Sequence, residues 1–232
     1  MPIQTAVYID GYNLYYGRIR GTEYKWLDVV ALFDRLLHEQ NPDTEISAVR
    51  YFSAHCLANF ATHGEASAQA QQAYHRALVQ LHAPRFSLTL GTHSYDRNGT
   101  LLPRHIDGKS FNRDDRVRVW KLEEKQTDVN MALAMYRDAY SGSFQQLVVC
   151  SNDSDVEPVL AALRTDFPDL TIGVVTPRRS LTPGKRHRNP LSTLSAHAHW
   201  TRHHILDGEL AASLLPSRVP TRKRPIDKPP HW

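Results

Sequence analysis

Four aspartates in three short, well-separated motifs are the residues best placed to do chemistry in this chain. Asp10 lies in Ile9-Asp10-Gly11-Tyr12-Asn13, Asp128 in Thr127-Asp128-Val129, and Asp153 and Asp155 in Ser151-Asn152-Asp153-Ser154-Asp155. Asp10 ends one apolar run and Asp153 follows another, while Asp128 opens a helix-like stretch. A carboxylate at the end of a buried strand is costly unless it is paired, hydrogen-bonded or metal-bound. In an open α/β sheet, strand ends and helix starts lie along one edge, where ligands bind. Carboxylates gathered there repel one another unless a hard divalent cation sits between them. Hydrolysis of a phosphodiester is the natural work of such a cation.

Structural roles compete at each position. Asp10 or Asn13 can cap the following helix, and Asp128 can complement a helix dipole. Ser154-x-x-Glu157 matches a capping box, which gives Glu157 a structural task and leaves Asp155 a dipole role. Asp153 is the hardest of the set to explain as a cap. Of Glu123 and Glu124, at the end of an alternating segment, one is expected to face the site and the other solvent.

The elements that must position these groups can be read from periodicity. Residues 5–9, 46–52, 86–92, 146–150 and 171–175 are short strand-like runs. Helical patterns cover 26–37, 65–81, 128–140 and 155–163, with Val129, Ala132, Leu133 and Tyr136 picked out as the apolar face of the third. Strands alternating with helices imply βαβ units and a mainly parallel sheet with both faces covered. Segment 93–115, with the turn signal Asp96-Arg97-Asn98-Gly99, reads as a hairpin-like insertion that carries Arg113. Residues 1–177 are therefore expected to form one domain, and 178–232 a basic appendage with a helix over 191–203 and an extended tail. The tail, 216–232, holds five prolines and five basic residues, and reads as an arm along a phosphate backbone, with a structural strap in which Trp232 packs back onto the domain as the rival reading.

At 232 residues, 41% hydrophobic and 22% charged, the chain can bury a real core. No apolar run approaches the ~20 residues of a membrane helix, and no secretory signal opens the chain. Cys56 and Cys150 offer neither a disulfide framework nor zinc-ligand spacing, so a cytoplasmic setting and no membrane partner are expected. The net charge of +4 is uneven: from Arg178 onward there are eleven Lys/Arg against three Asp/Glu. A basic C-terminal part on an acidic body suggests a polyanionic partner.

These motifs together resemble the NYN domain family, of the PIN-like nuclease superfamily, in its bacterial branch. The matching stretches are Asp10-Gly11-Tyr12-Asn13 after its strand, Glu124-Lys125-Gln126-Thr127-Asp128-Val129, and Ser151-Asn152-Asp153-Ser154-Asp155. The closing Pro229-Pro230-His231-Trp232 is similar as well. The resemblance implies a three-layer α/β/α sandwich, Mg²⁺ or Mn²⁺ as cofactor, and ribonuclease activity on RNA as partner. Carried over by position, Asp10, Asp128, Asp153 and Asp155 resemble the acidic metal-binding set, and Asn13 the polar residue that holds a ligand or water. Two departures stand out: Asn152 replaces the usual glycine of Ser-Gly-Asp, and Val156 replaces an aromatic residue. Lys125, Arg113, Arg178, Arg179, Lys185 and Arg186 are the expected phosphate contacts, and Tyr12, Tyr15 and Tyr16 are candidates for base stacking or for core packing. Self-association stays open. Two rival readings share the same residues: an RNA-binding regulator with an idle site, and a nucleotide-sugar transferase whose D-x-D holds a metal diphosphate.

Overall fold

Val7, Ile9, Ala6 and Tyr8 are fully buried, yet they divide between two cores. Successive side chains of a strand point to opposite faces, so a strand covered on both sides reads as an unbroken apolar run. The computed structural model describes residues 2–180 and 192–232. In chain order its elements are β1 (Ile3–Asp10), α1 (Gly11–Leu14) continuing as a π-helical turn (Tyr15–Ile19), α2 (Val29–Gln40), β2 (Thr44–Ala54), α3 (Glu65–His82) and β3 (Phe86–Ser94). Next come β4 (Thr100–Pro103), β5 (Arg116–Val119), β6 (Glu123–Lys125), α4 (Thr127–Ser141), β7 (Gln146–Cys150), α5 (Glu157–Asp166) and β8 (Thr171–Val175). The described chain closes with α6 (Ser192–His197), β9 (Trp200–Arg202), α7 (Asp207–Ala211), β10 (Arg218–Val219) and β11 (Ile226–Asp227).

The sheet has seven strands in the order β6-β3-β2-β1-β7-β8-β9. All neighbours are parallel except β6, which runs antiparallel to β3. After β1 the chain builds outward on one side through β2 and β3, then returns to lay β7 and β8 on the other. The order therefore reverses at β1/β7, and a crevice opens beyond the carboxyl ends of these two strands. Helices α2 and α3 cover one face around Trp26, Phe33 and Leu78; α4 and α5 cover the other around Met131, Met135 and Leu160. This is the expected α/β/α sandwich. Among the described residues no helix is long and apolar enough to cross a membrane.

Four details differ from the sequence reading. The insertion is a hairpin displaced towards the C-terminus, with Thr100 facing Val119 and Pro103 facing Arg116. Helix α4 turns Met131, Met135 and Ala139 inward, leaving Val129 at 63% and Tyr140 at 82% exposure. Both stripes are apolar; polar anchoring selects between them. Asp138 accepts hydrogen bonds from Tyr8 Oη (2.5 Å) and from Arg50 Nε and Nη2 (2.6 and 2.8 Å), which pins α4 to β1 and β2. The expected break at 177 is absent from the sheet, because β9 pairs with β8. The helix foreseen over 191–203 is the shorter α6 followed by β9, and Trp200 lies against Gly173, where a Cβ would collide with its ring.

The tail is not an extended arm. β10 and β11 pair as a small hairpin, Val219 is fully buried and Ile226 nearly so in the Trp26 core. Trp26 Nε1 donates to Pro216 O at 2.8 Å, and the Trp232 ring packs 6.2 Å from Trp26 and 5.7 Å from Tyr74. The prolines shape a strap whose apolar residues reach the core one at a time.

Candidate active site

Asp10 is the last residue of β1 and the N-cap of α1. Its Oδ1 accepts from Asn13 N (2.9 Å), and its Oδ2 accepts from Asn13 Nδ2 (2.6 Å) and Ser151 Oγ (3.1 Å). The capping role and a site role are thus held by one side chain. Asp10 is 3% exposed, and burial pushes its pKa up against those hydrogen bonds, with the Asp153 charge adding to the rise. Ser151 Oγ also accepts from Asp153 N at 3.1 Å, so one buried hydroxyl ties the ends of β1 and β7 together. Gly11 lets this turn form, because a Cβ there would come within 2.6 Å of the Tyr51 ring.

Asp128 arrives from the other side. Gln126 takes a left-handed conformation (φ 76°) between β6 and α4, an uncommon state for a side-chain-bearing residue. That bend brings Glu124 and Asp128 to the same pocket. Thr127 Oγ1 donates to Glu124 Oε1, and Gly91 on β3 makes room, since a Cβ would meet Thr127 Oγ1 at 2.4 Å. Burial raises the Glu124 pKa first, and the charges of Asp10 and Asp128 raise it further against the Thr127 hydrogen bond. Asp128 is pushed up to about 6, by burial and then by the charges of Asp10, Asp153 and Asp155.

Asp10, Asn13, Asp128 and Asp153 therefore line one open pocket, joined by Glu124, Asn152, Tyr12 and Tyr16. Asp155 is exposed and outside the lining; its N–H donates to Asp153 Oδ1 at 3.1 Å, as a first-turn residue does. Glu157 faces His197 at 3.7 Å. Of the two glutamates left open by the sequence, Glu123 is held by Lys121 and Lys125. Lys125 is thereby engaged away from the pocket, and Arg113 sits on the exposed β4–β5 loop beside Asp114. Arg178 comes nearest: with the Asn152 amide turned to satisfy both neighbours, its oxygen accepts from Arg178 Nε (3.3 Å) and Nη2 (3.2 Å) and its nitrogen donates to Asn13 Oδ1. Asn152 therefore gives the loop a bridge that glycine could not. Arg179 Nη2 donates to Arg20 O at 3.4 Å. Lys185 and Arg186 lie outside the described residues. Val156 is buried in the α4–α5 core, where a short side chain fits under the loop. Sequence reasoning missed Ser151 and Thr127; a hydroxyl beside each acidic motif was the available signal.

The donors in the pocket are oxygens, the type that suits Mg²⁺ or Mn²⁺. Among the described residues no group of three His, Cys, Asp or Glu side chains stands close enough to ligate one ion directly. The set fits an ion that keeps most of its water and uses one or two carboxylates, as Mg²⁺ does.

The raised carboxyl of Asp128 has a consequence for stability. Its ordinary pKa is 3.8 and its folded value about 6, so the folded state holds this proton more tightly. The stability that follows is fully present below about pH 4 and lost as pH rises through about 6. Without divalent ions, Asp128→Asn should raise the melting temperature at pH 7.5 by about 2–4 °C, after discounting for solvent screening at a half-exposed group. The gain should fade as pH falls to 4; an equal gain at both pH values would show that the carboxylates do not repel one another here.

Residues 4–183 match the NYN domain family. The chain is 38% identical to 6-hydroxy-3-succinoylpyridine 3-monooxygenase HspA of Pseudomonas putida (strain DSM 28022 / S16), in an alignment that spans all of this chain and 76% of that protein. Its fold resembles the crystal structure of VPA0982, a protein of unknown function from Vibrio parahaemolyticus RIMD 2210633, with a TM-score of 0.51 at 16% identity, covering 92% of this chain and 97% of the other. With the parallel sheet and the acidic crevice at its switch point, the match over most of the length makes this chain a member of the NYN domain family.

Proposed function

We propose that this protein is a metal-dependent ribonuclease that cuts within RNA. The observation that supports it most is the meeting of Asp10, Asp128, Asp153 and Glu124 on one open pocket beyond β1 and β7. One or two of Asp10, Asp128 and Asp153 would hold Mg²⁺ or Mn²⁺ directly and the rest through its waters; such an ion would polarise a phosphate and lower the pKa of a water for attack. The chain's own part is placement. Ser151 and Asn13 fix the Asp10 carboxylate, Asn152 keeps Asn13 and Arg178 in register, and Arg178 offers positive charge to a phosphate at the rim. Neither an idle RNA-binding site nor a sugar transferase gains support from this geometry.

A second reading has an observation of its own. The Pseudomonas relative is named as a monooxygenase of a hydroxypyridine, and it aligns with the whole of this chain. On that reading the pocket would serve ring hydroxylation, with dioxygen and a two-electron donor as co-reactants. Purified protein should be given end-labelled unstructured RNA with Mn²⁺ and, separately, 6-hydroxy-3-succinoylpyridine with dioxygen and a reduced nicotinamide. Cleavage by the parent and none by Asp128→Asn supports the nuclease. Intact RNA together with dioxygen uptake and a hydroxylated product would replace it with the second reading.

A further inference from the structure

Behind Tyr12 and Tyr16, which wall the acidic pocket, lies a second cavity of about 560 Å³. Its size is that of a site for a small organic molecule. Its lining mixes aromatic rings, Tyr12, Tyr16, Tyr51, Tyr74 and Trp232 among them, with aliphatic and polar side chains. Tyr51 and His75 are 6% exposed each, both line the cavity, and neither side chain has a hydrogen bond to protein among the described residues. Their rings pack edge to face at 5.8 Å. Neither Tyr51 Oη nor a His75 nitrogen is among the fully buried polar atoms without a partner, so both open onto the accessible space of the cavity, where a ligand's polar groups can replace water. Burial lowers the His75 pKa to about 4, which leaves a neutral ring able to donate from one nitrogen and accept at the other. Arg20 stacks 5.3 Å over Tyr16, and Lys25, whose Nζ donates to His231 O at 3.4 Å, is on the same lining.

We infer that this cavity binds a planar heteroaromatic ring whose exocyclic hydroxyl, amino or carbonyl groups bond Tyr51 and His75. An anionic substituent on the ring's molecule would be met by Arg20 and Lys25. The ring has two possible sources with this one chemistry: a base of an RNA strand whose backbone runs into the carboxylate pocket, or a free hydroxypyridine carboxylate. Only the first source rests on the nuclease reading. Tyr12 and Tyr16 line both the cavity and the acidic pocket, so a ligand longer than the ring would run past them towards Asp10 and Asp128.

Calorimetric titration of the full chain with AMP, with UMP and with 6-hydroxypyridine-3-carboxylate tests this. At least one probe should bind saturably. Tyr51→Phe should weaken it about three- to tenfold, the scale of one net hydrogen bond. Thr62→Trp, at an exposed position of the lining, should block binding without burdening the fold. Binding of nucleotides alone assigns the cavity to an RNA base, binding of the pyridine alone to a free ring, and binding of both to the shared chemistry. No saturable binding by any probe, or affinities unchanged in both variants, overturns the inference. Ring binding without RNA cleavage would uphold it and remove the nuclease; cleavage without ring binding would do the reverse.

Discussion

Asp10→Asn should reduce Mn²⁺-dependent RNA cleavage by about 10²–10³-fold, the scale for losing one fixed electrostatic group at a reacting centre, while the protein stays folded. The substitution preserves shape. The amide oxygen keeps the bond from Asn13 N, the amide nitrogen replaces the oxygen that accepts from Asn13 Nδ2 and Ser151 Oγ, and the charge that would hold a cation between the ends of β1 and β7 is lost. Asp153→Asn should behave alike, whereas Asp155→Asn, exposed and outside the pocket, should stay within about threefold of the parent on the same scale. Melting curves with Mg²⁺ or Mn²⁺ give an independent reading: the ions should stabilise the parent by linkage and Asp10→Asn far less. Undiminished cleavage by Asp10→Asn and Asp153→Asn would dismiss the acidic pocket as the site of reaction.

Removing residues 217–232 should lower the melting temperature by more than about 10 °C. Val219, Ile226 and Trp232 leave the core, and each large apolar side chain contributes roughly 1.5–3 kcal/mol on burial. Three such side chains come to about 4.5–9 kcal/mol at full burial, and less for the partly buried Trp232, which is still comparable with the whole stability of an ordinary domain. The cavity wall formed with Trp232 goes too, so ring binding should vanish with the strap. The basic composition of this segment predicts something else, a free arm whose loss flattens the salt dependence of RNA binding. A truncated protein that melts like the parent would restore the arm and contradict the packing of Trp232 on Trp26 and Tyr74.

The sequence was most legible where burial on both faces leaves a plain signature. The runs before Asp10 and Asp153 are covered above and below, so their ends could be located and the acidic groups placed on one edge. The layered fold was legible for the same reason, and the family through the three ordered acidic motifs at 10–13, 124–129 and 151–155. Glu124 could not be separated from Glu123 because the choice depends on β6 lying antiparallel to β3, with Glu124 opposite His93. The face of α4 was ambiguous since two apolar stripes compete, and the decision rests on Tyr8 and Arg50, far away in sequence. The strap was only the rival to a free arm because Leu215, Val219, Ile226 and Trp232 are isolated among charges and prolines, a spacing without periodicity. β9 has three residues, too few for a pattern.

The hydroxyl of Ser151 and the carboxylate of Asp10 are separated by 141 residues of chain. Their meeting requires β1 to pair with β7, while β2 occupies its other edge. Contacts of such long sequence separation form slowly, since loop closure must precede any gain from pairing. An incompletely folded chain therefore holds its acidic groups dispersed, each a lone carboxylate in water. On the proposed nuclease reading, competence to cut RNA would arrive only together with the native sheet. Refolding followed by far-UV signal and by RNA cutting should show activity lagging behind helix formation.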